Sequence, residues 1–238
     1  MKLLKLFFVL LIAVSATSCL KNDDKASGTG DVIIVSKKIG ENTVYGLSLY
    51  AYTFSEFKTV TAVSSTNSGK TYTLAANQGY KTNFYYETAD AEMTTTPPAA
   101  ATFTFSAVFE NGDTQTFVDA ITSEVLAVPV ITATEYKGTD KTTTIKWNDV
   151  SSADSYAINI FDSDNKLVFA STELAKTVKS YTVSPSGSGW ASTIKPVDGK
   201  TYKIRLYAFA YESTANAYNV QATSIGEKTF VWAESVTE

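Results

Sequence analysis

Residues 202–211 read Tyr-Lys-Ile-Arg-Leu-Tyr-Ala-Phe-Ala-Tyr, and the alternation in this segment indicates its secondary structure. Every second residue, from Tyr202 to Ala210, suits a buried core, whereas the residues between them are charged or aromatic. A period of two is typical of a β-strand that has one face in the core and the other toward solvent. The outward-facing side chains predicted by this alternation are Lys203, Arg205, Tyr207, Phe209 and Tyr211.

Strand-like segments of this kind recur along the chain, and turn-forming residues such as Gly40 and Asn42 separate them. Their β-branched and aromatic side chains pack well on a pleated surface. Asn111 and Gly112 lie between two such segments and suit a type I′ hairpin turn. The sequence therefore predicts an all-β protein. In the first half of the chain the predicted strands are 31–37, 43–53, 57–63, 71–75, 81–88, 101–109 and 114–120.

Three motifs distinguish the second half of the chain. Trp147 ends one strand-like segment, and residues 156–160 alternate as Tyr-x-Ile-x-Ile in the next. Tyr202 follows an Ile-Lys-Pro stretch, residues 194–196, after a short turn. These motifs resemble the pattern of fibronectin type III domains, in which a tyrosine hydroxyl bonds back to the chain as a tyrosine corner. The resemblance covers residues 129–232 and implies a β-sandwich without implying an activity.

The length of the chain suits two domains. Its 238 residues exceed a typical single domain and match two units of about 100 residues each. We predict two tandem immunoglobulin-like or fibronectin type III-like β-sandwiches. The first would span residues 31–128, and the second would span residues 129–238.

The start of the chain indicates where the protein works. Lys2 and Lys5 make it basic, and the apolar run over residues 3–14 is too short to span a bilayer as a helix. This combination is typical of a secretory signal peptide.

Cys19 is the only cysteine, and it follows a group of small residues. The arrangement resembles a bacterial lipoprotein signal, which implies that residues 1–18 are removed and that lipid on Cys19 anchors the protein to a membrane. Residues 19–30 would then form a lipidated tether, and residues 25–30 within it are polar and expected to be disordered. An ordinary secretion signal followed by a free thiol is the alternative.

The polar residues just after Cys19 resemble the export signal of Bacteroidetes-type surface lipoproteins. The resemblance implies a lipid-anchored protein of the outer membrane that faces the cell exterior. The residues of this predicted signal are Lys21, Asn22, Asp23 and Asp24.

Composition argues against several classes of function. Removing residues 1–18 takes away two of the 20 basic residues and none of the 24 acidic ones, so the net charge becomes −6. Because a nucleic-acid-binding protein usually carries an excess of basic residues, we predict no nucleic-acid partner. The chain has no histidine, the commonest catalytic base and a common zinc ligand. We predict no enzymatic activity, no catalytic residues, no cofactor and no metal. Catalysis by a pair of carboxylates stays open, because the sequence does not show which acids converge.

Aromatic side chains at solvent-facing positions are the best candidates for a binding site. Tyr207, Phe209 and Tyr211 lie on the outward face of their strand, where folding does not require aromatic residues. Trp190 stands in a run of Ser, Pro and Gly, and Trp232 could extend the aromatic patch from the last strand. We predict a surface module that binds a glycan or a protein partner. A structural spacer, or a subunit of a larger surface assembly, is the alternative and would bury the same side chains.

Overall fold

A computed structural model describes residues 25–191, 194–212 and 219–237. The described residues include no helix that could span a bilayer. The predicted features that lie outside the described residues are the signal peptide, Cys19, Lys21, Asn22, Asp23 and Asp24.

The described chain is almost entirely β-structure, which confirms the all-β sandwich class. One short 3-10 turn, Asp90–Glu92, interrupts the strands. In chain order the strands are β1 Gly28–Ile39, β2 Asn42–Thr53, β3 Phe57–Ser64, β4 Asn67–Asn77, β5 Tyr80–Glu87, β6 Ala101–Phe109, β7 Thr114–Ile121, β8 Ile131–Lys137, β9 Thr142–Trp147, β10 Ser155–Phe161, β11 Leu167–Ala170, β12 Leu174–Ala175, β13 Ser180–Val183, β14 Thr201–Tyr211, β15 Val220–Val231 and β16 Val236–Thr237.

The first sandwich contains strands β1 to β7. One of its sheets is formed by β1, β2 and β5, and the other by β3, β6 and β7. Strand β4 belongs to both, because residues 71–74 pair with β3 and residues 75–77 pair with β5. Strand β7 returns beside β1, where the Val32 N–H donates to Asp119 Oδ2 at 2.7 Å. The seven strands therefore wrap around one core.

Strand β6 shows why this core forms. Its buried residues alternate with residues that face outward, as a strand with one face in the core requires. Gly30 of β1 lies against this layer, and a Cβ at that position would stand 2.8 Å from the Phe105 ring. The absence of a side chain at Gly30 thus lets β1 approach the aromatic core. The buried residues of β6 are Ala101, Phe103, Phe105, Ala107 and Phe109.

The second sandwich has the features that its motifs implied. One sheet has the order β11-β10-β14-β15, with β12 also paired to β10, and the other has the order β13-β9-β8-β16. Trp147 is buried, and its ring lies 5.7 Å from that of Tyr156. The Val197 N–H donates to the Tyr202 hydroxyl at 3.1 Å, so the expected tyrosine corner forms.

The two sandwiches are joined by a parallel pairing of β1 with β15, which we call the seam. Four residue pairs are in register, from Ile34 opposite Ala222 to Lys37 opposite Ile225. Because β15 also pairs with β14, strands of both sandwiches lie in one twelve-stranded sheet. The buried side chains of both sandwiches form a single hydrophobic cluster.

The connection between the sandwiches packs against the seam. Leu126 is buried, and its carbonyl accepts a hydrogen bond from Ser36 Oγ at 2.9 Å. The carbonyl oxygen of Pro129 lies over Gly226, where a Cβ would stand only 2.0 Å from that oxygen. Glycine at position 226 therefore allows the connection to cross β15 at close range.

The prediction that residues 25–30 belong to a disordered tether is wrong. Strand β1 begins at Gly28, and Ala26 is already buried. The Ala26 N–H donates to Asp113 Oδ2 at 3.0 Å, and the Gly28 N–H donates to Gln115 Oε1 at 2.7 Å. These hydrogen bonds to the β6–β7 hairpin fix the chain to the sandwich from Ala26 onward.

The hairpin between β6 and β7 forms as predicted, but its turn is not of type I′. That type requires positive φ at both central residues. Gly112 has a φ of 90°, whereas Asn111 is not at positive φ. The loop is instead a turn that ends in a left-handed glycine, with the Gly112 N–H donating to the Phe109 carbonyl at 3.0 Å.

Candidate functional site

The outward face of β14 carries the aromatic residues that the sequence indicated. Its inward residues are buried, and the outward residues between them are half-buried. The rings of Tyr207 and Phe209 are nearly parallel, 3° apart in orientation and 6.1 Å between centroids. Burial raises the pKa of Tyr207, although the positive charge of Arg205 opposes the shift. The Tyr207–Phe209 pair is therefore partly removed from water.

Tyr211 is held by contacts within the second sandwich. Its hydroxyl lies 2.8 Å from Ser155 Oγ and donates to Glu173. Its backbone N–H donates to Asp154 Oδ2 at 3.0 Å. Tyr211 thus helps to hold β14 to its neighbours, so its replacement would disturb the fold as well as the surface.

Trp232 does not extend the aromatic patch, and that prediction is wrong. Its side chain is only 1% exposed, and that of Phe230 is 2% exposed. Phe230 pairs with Tyr202, an inward residue of β14, so this register directs it toward the core. The pairing of β15 with β14 decides which side chains of the last strand face the core.

Trp190 is not a separate exposed site, because it packs against the core. Its ring lies edge-on to two others, 5.1 Å from that of Phe169 and 5.9 Å from that of Trp232. Its Nε1–H donates to the Ser184 carbonyl at 2.8 Å. These contacts place Trp190 as a half-buried cover over one end of the second sandwich.

The charged neighbours of the Tyr207–Phe209 pair are held in place. Lys203 Nζ donates to Asn165 Oδ1 at 2.7 Å, and Arg205 Nε donates to Glu227 Oε1 at 2.5 Å. The Arg205 guanidinium also lies over the ring of Phe161, 4.7 Å from its centroid. These contacts orient both cations while leaving further N–H groups that can donate to a ligand.

A cavity of about 590 Å³, which we call the junction cavity, opens beside Lys203 and Arg205 where the two sandwiches diverge. Five of its lining residues are basic and two are acidic, although the whole chain carries a net charge of −4. A local reversal of sign attracts anionic groups. The charged lining residues are Lys37, Lys38, Lys203, Arg205, Lys228, Asp90 and Glu227.

Three carboxylates converge near the beginning of β1, and no motif in the sequence indicated them. Oxygens of Asp31, Asp119 and Glu212 lie within 4.8 Å of one another. Burial raises the pKa of Asp31 to about 7, and repulsion from Asp119 and Glu212 adds to the shift. Asp31 Oδ1 is buried and has no hydrogen-bond partner among the described residues. Carboxylate oxygens so close together are of the type that hard cations such as Ca²⁺ prefer.

A second parallel aromatic pair, Tyr50 and Tyr52, lies on the outer face of the first sandwich. The two rings are 6.0 Å apart and 8° from parallel, and burial raises the pKa of Tyr52 to about 12. The pairing of β2, β1, β15 and β14 puts both aromatic pairs on the same face of the continuous sheet. Alternation with the buried Leu49 and Ala51 was the signal that could have identified this pair.

No protein-family model matches the sequence, and no curated protein matches it. Among solved structures, the chain is similar to a two-fibronectin type III domain segment of chicken tenascin, with 13% identity and a TM-score of 0.29 over 87% of this chain and 100% of that chain. A biofilm-associated protein BSP domain matches with 8% identity and a TM-score of 0.28 over 89% of this chain and 53% of that one. Dimeric latent PorU from Porphyromonas gingivalis matches with 7% identity and a TM-score of 0.30 over 88% of this chain and 20% of that one.

Proposed function

We propose that the protein is a non-enzymatic, lipid-anchored module of the bacterial cell surface that binds an extracellular glycan or a protein partner. The observation that carries this proposal is the parallel Tyr207–Phe209 pair beside the cationic junction cavity. The predicted lipid on Cys19 and the predicted export residues that follow it supply the location. Glycan is the ligand that we favour, because flat aromatic faces and fixed hydrogen-bond donors occur together here.

The aromatic pair supplies the apolar part of such a site. Sugar rings present C–H surfaces, and these surfaces pack against the faces of aromatic rings. Tyr207 and Phe209 are held nearly parallel on a strand, so little conformational entropy is lost when a ligand packs against them.

The cations supply the polar part. The guanidinium of Arg205 is oriented by Glu227 and Phe161, and its remaining N–H groups can donate to hydroxyl or carboxylate oxygens. The excess of basic residues around the junction cavity favours a glycan that carries carboxylates over a neutral one.

Affinity electrophoresis through gels that contain a carboxylated or a neutral polysaccharide tests this proposal. We expect the unaltered protein to be retarded most by the carboxylated polymer. Tyr207→Ala and Phe209→Ala should each weaken binding by roughly tenfold, which corresponds to about 1.4 kcal/mol. Tyr136→Ala is the matched control, because Tyr136 is a half-buried tyrosine of β8, in the other sheet of the same sandwich. An equal loss of binding in the control, or unfolding of the Tyr207 and Phe209 variants, would contradict the assignment.

A structural spacer is the second candidate function, and the seam favours it. Parallel pairing of β1 with β15 joins the sandwiches into one sheet with one hydrophobic cluster, which restricts their relative motion. Such a unit can hold another component at a fixed distance from the membrane. The spacer function predicts that no polysaccharide retards the protein and that cross-linking on intact cells captures a partner in contact with the Tyr207 face.

A further inference from the structure

Two highly exposed aromatic residues stand at the end of the first sandwich where the described chain begins. Phe54 is 108% exposed relative to a reference residue, and Tyr80 is 67% exposed. Phe54 follows Thr53, which pairs with Gly28 at the start of β1. Tyr80 opens β5, whose first residues lie beside the same end of β2. We call this end of the molecule the N-terminal pole.

We propose that the N-terminal pole rests on the lipid surface of the membrane, with the side chains of Phe54 and Tyr80 inserted at the level of the headgroups. This inference rests on the proposed lipid anchor at Cys19. It adds a second contact with the membrane, made by the folded sandwich itself.

The short distance along the chain between the anchor and the pole supports this contact. Lys25 is six residues after Cys19, and an extended chain spans at most about 3.6 Å per residue, so the reach is about 20 Å. The chain is fixed to the sandwich by the Ala26 N–H, which donates to Asp113 Oδ2 at 3.0 Å. The anchor therefore keeps the N-terminal pole close to the bilayer.

Among the residues that the structure describes, the second sandwich leaves the N-terminal pole free. Strand β15 runs parallel to β1, and after its last seam residue, Ile225, it continues to Val231. The second sandwich therefore extends in the direction in which β1 ends, away from Phe54 and Tyr80. This register places the junction cavity and Tyr207 level with Lys37, near the end of β1 that is opposite to the N-terminal pole.

Aromatic side chains, and not charge, would hold the N-terminal pole to lipid. Tyr favours the membrane interface, because its ring meets apolar chains while its hydroxyl meets water. The wholly apolar ring of Phe inserts toward the acyl chains. Among the described residues, three basic and three acidic side chains at this pole balance one another, so contact should depend little on salt. These charged residues are Lys25, Lys58, Lys81, Glu56, Glu110 and Asp113.

A lipid surface fits the N-terminal pole better than a protein partner does. Phe54 and Tyr80 supply at most about 250 Å² each, whereas a specific protein interface buries about 800 Å² on each partner. Two side chains at separate loop ends are enough for shallow insertion when a covalent lipid already holds the protein at the surface.

The test uses the full-length lipidated protein in vesicles of phosphatidylethanolamine and phosphatidylglycerol. Cys19 is the only native cysteine, so a cysteine introduced elsewhere is the single free thiol once Cys19 carries lipid. Phe54→Cys and Tyr80→Cys are labelled with an environment-sensitive fluorophore. Leu167→Cys is the matched control, because Leu167 is a 43% exposed residue of the second sandwich.

We expect lipids that carry a quencher to reduce the emission from positions 54 and 80 by roughly half and to leave that from position 167 nearly unchanged. Salt at about 1 M should leave the quenching in place. The protein could float with the vesicles while the fluorophore at position 54 emits as it does in the absence of lipid. That result would overturn the lipid contact and leave the anchor intact. Failure of the protein to float would overturn both. The emission from position 54 could instead change with protein concentration and not respond to the lipid quencher. That result would indicate contact with a second copy of the protein and would also overturn the proposal.

Discussion

Ile34 and Ala222 are parallel partners in neighbouring strands, although one belongs to the first sandwich and the other to the second. Both are 1% exposed, so the seam is a continuation of the core and not a surface contact. The stability of each sandwich should therefore depend on the other, because separating them would expose buried residues on both sides.

Gly226→Ala should destabilise the protein by about 1–3 kcal/mol, because a Cβ there would stand 2.0 Å from the Pro129 carbonyl oxygen. Urea unfolding measures the loss. Gly69→Ala is the matched control, since a Cβ at that position has only one neighbour, Asn67 Oδ1 at 3.9 Å. Equal stability of the two variants would show that the connection over Gly226 moves without cost.

A fragment of residues 129–238 should unfold cooperatively but at a lower temperature than the full chain, by roughly 10 °C. It retains both sheets of the second sandwich and loses the pairing of β15 with β1. Calorimetry measures both melts. A fragment that shows no cooperative melt would mean that the second sandwich is not an independent domain and that the predicted boundary at residue 129 is wrong.

Asp31→Asn should stabilise the protein at pH 8 by roughly 1 kcal/mol or more. The folded-state pKa of Asp31 is raised to about 7 from 3.8 by burial and by the acids beside it. Protonated Asp31 therefore contributes stability that is full below about pH 4 and is lost as the pH rises through 7. The unfolding midpoint in urea at pH 5 and at pH 8 measures this effect.

The same Asp31→Asn variant should also show a flatter dependence of stability on pH between about 4 and 7, because its residue 31 does not titrate. Asp164→Asn, at an exposed turn after β10, is the control and should keep the pH dependence of the unaltered protein. An unchanged slope in Asp31→Asn would mean that Asp31 is ionised in the folded protein throughout this range.

Cys19→Ala should move the protein from the membrane fraction to the soluble fraction of broken cells, because the predicted lipid would have no attachment site. Immunoblots of the two fractions measure the shift. Asp23→Ala combined with Asp24→Ala should leave the protein in the membrane fraction but protect it from protease added to intact cells. Full membrane retention of Cys19→Ala would exclude the lipoprotein interpretation.

Local patterns were enough to predict where most strands of the first sandwich lie, but not that β1 begins as early as Gly28. The alternation of Tyr202, Ile204, Leu206, Ala208 and Ala210 identified the inward face of β14, and all five are buried. The prediction succeeds because consecutive side chains of a strand point to opposite faces. The alternation of apolar and polar residues within a short segment is therefore enough to identify the face that meets the core. The outward position of the Tyr207–Phe209 pair follows from the same rule.

Contacts between distant segments were not predictable from such patterns. Asp31, Asp119 and Glu212 come from three separate parts of the chain, and only the return of β7 beside β1 and the end of β14 bring their oxygens together. The sequence predicted that Trp232 could extend the exposed aromatic patch, but the pairing of β15 with β14 places its side chain in the core. No spacing of residues in the sequence indicates the carboxylate cluster or the burial of Trp232.

Local sequence patterns predicted the all-β class, most strands of the first sandwich and the face of β14 that carries the aromatic pair. The seam between Ile34 and Ala222, the burial of Trp232 and the junction cavity arise only from contacts between distant segments. These two groups of features differ in the sequence separation of the residues that produce them. Alternation is a property of neighbouring residues, whereas the pairing and register of strands far apart in the chain depend on how all the apolar faces are buried together.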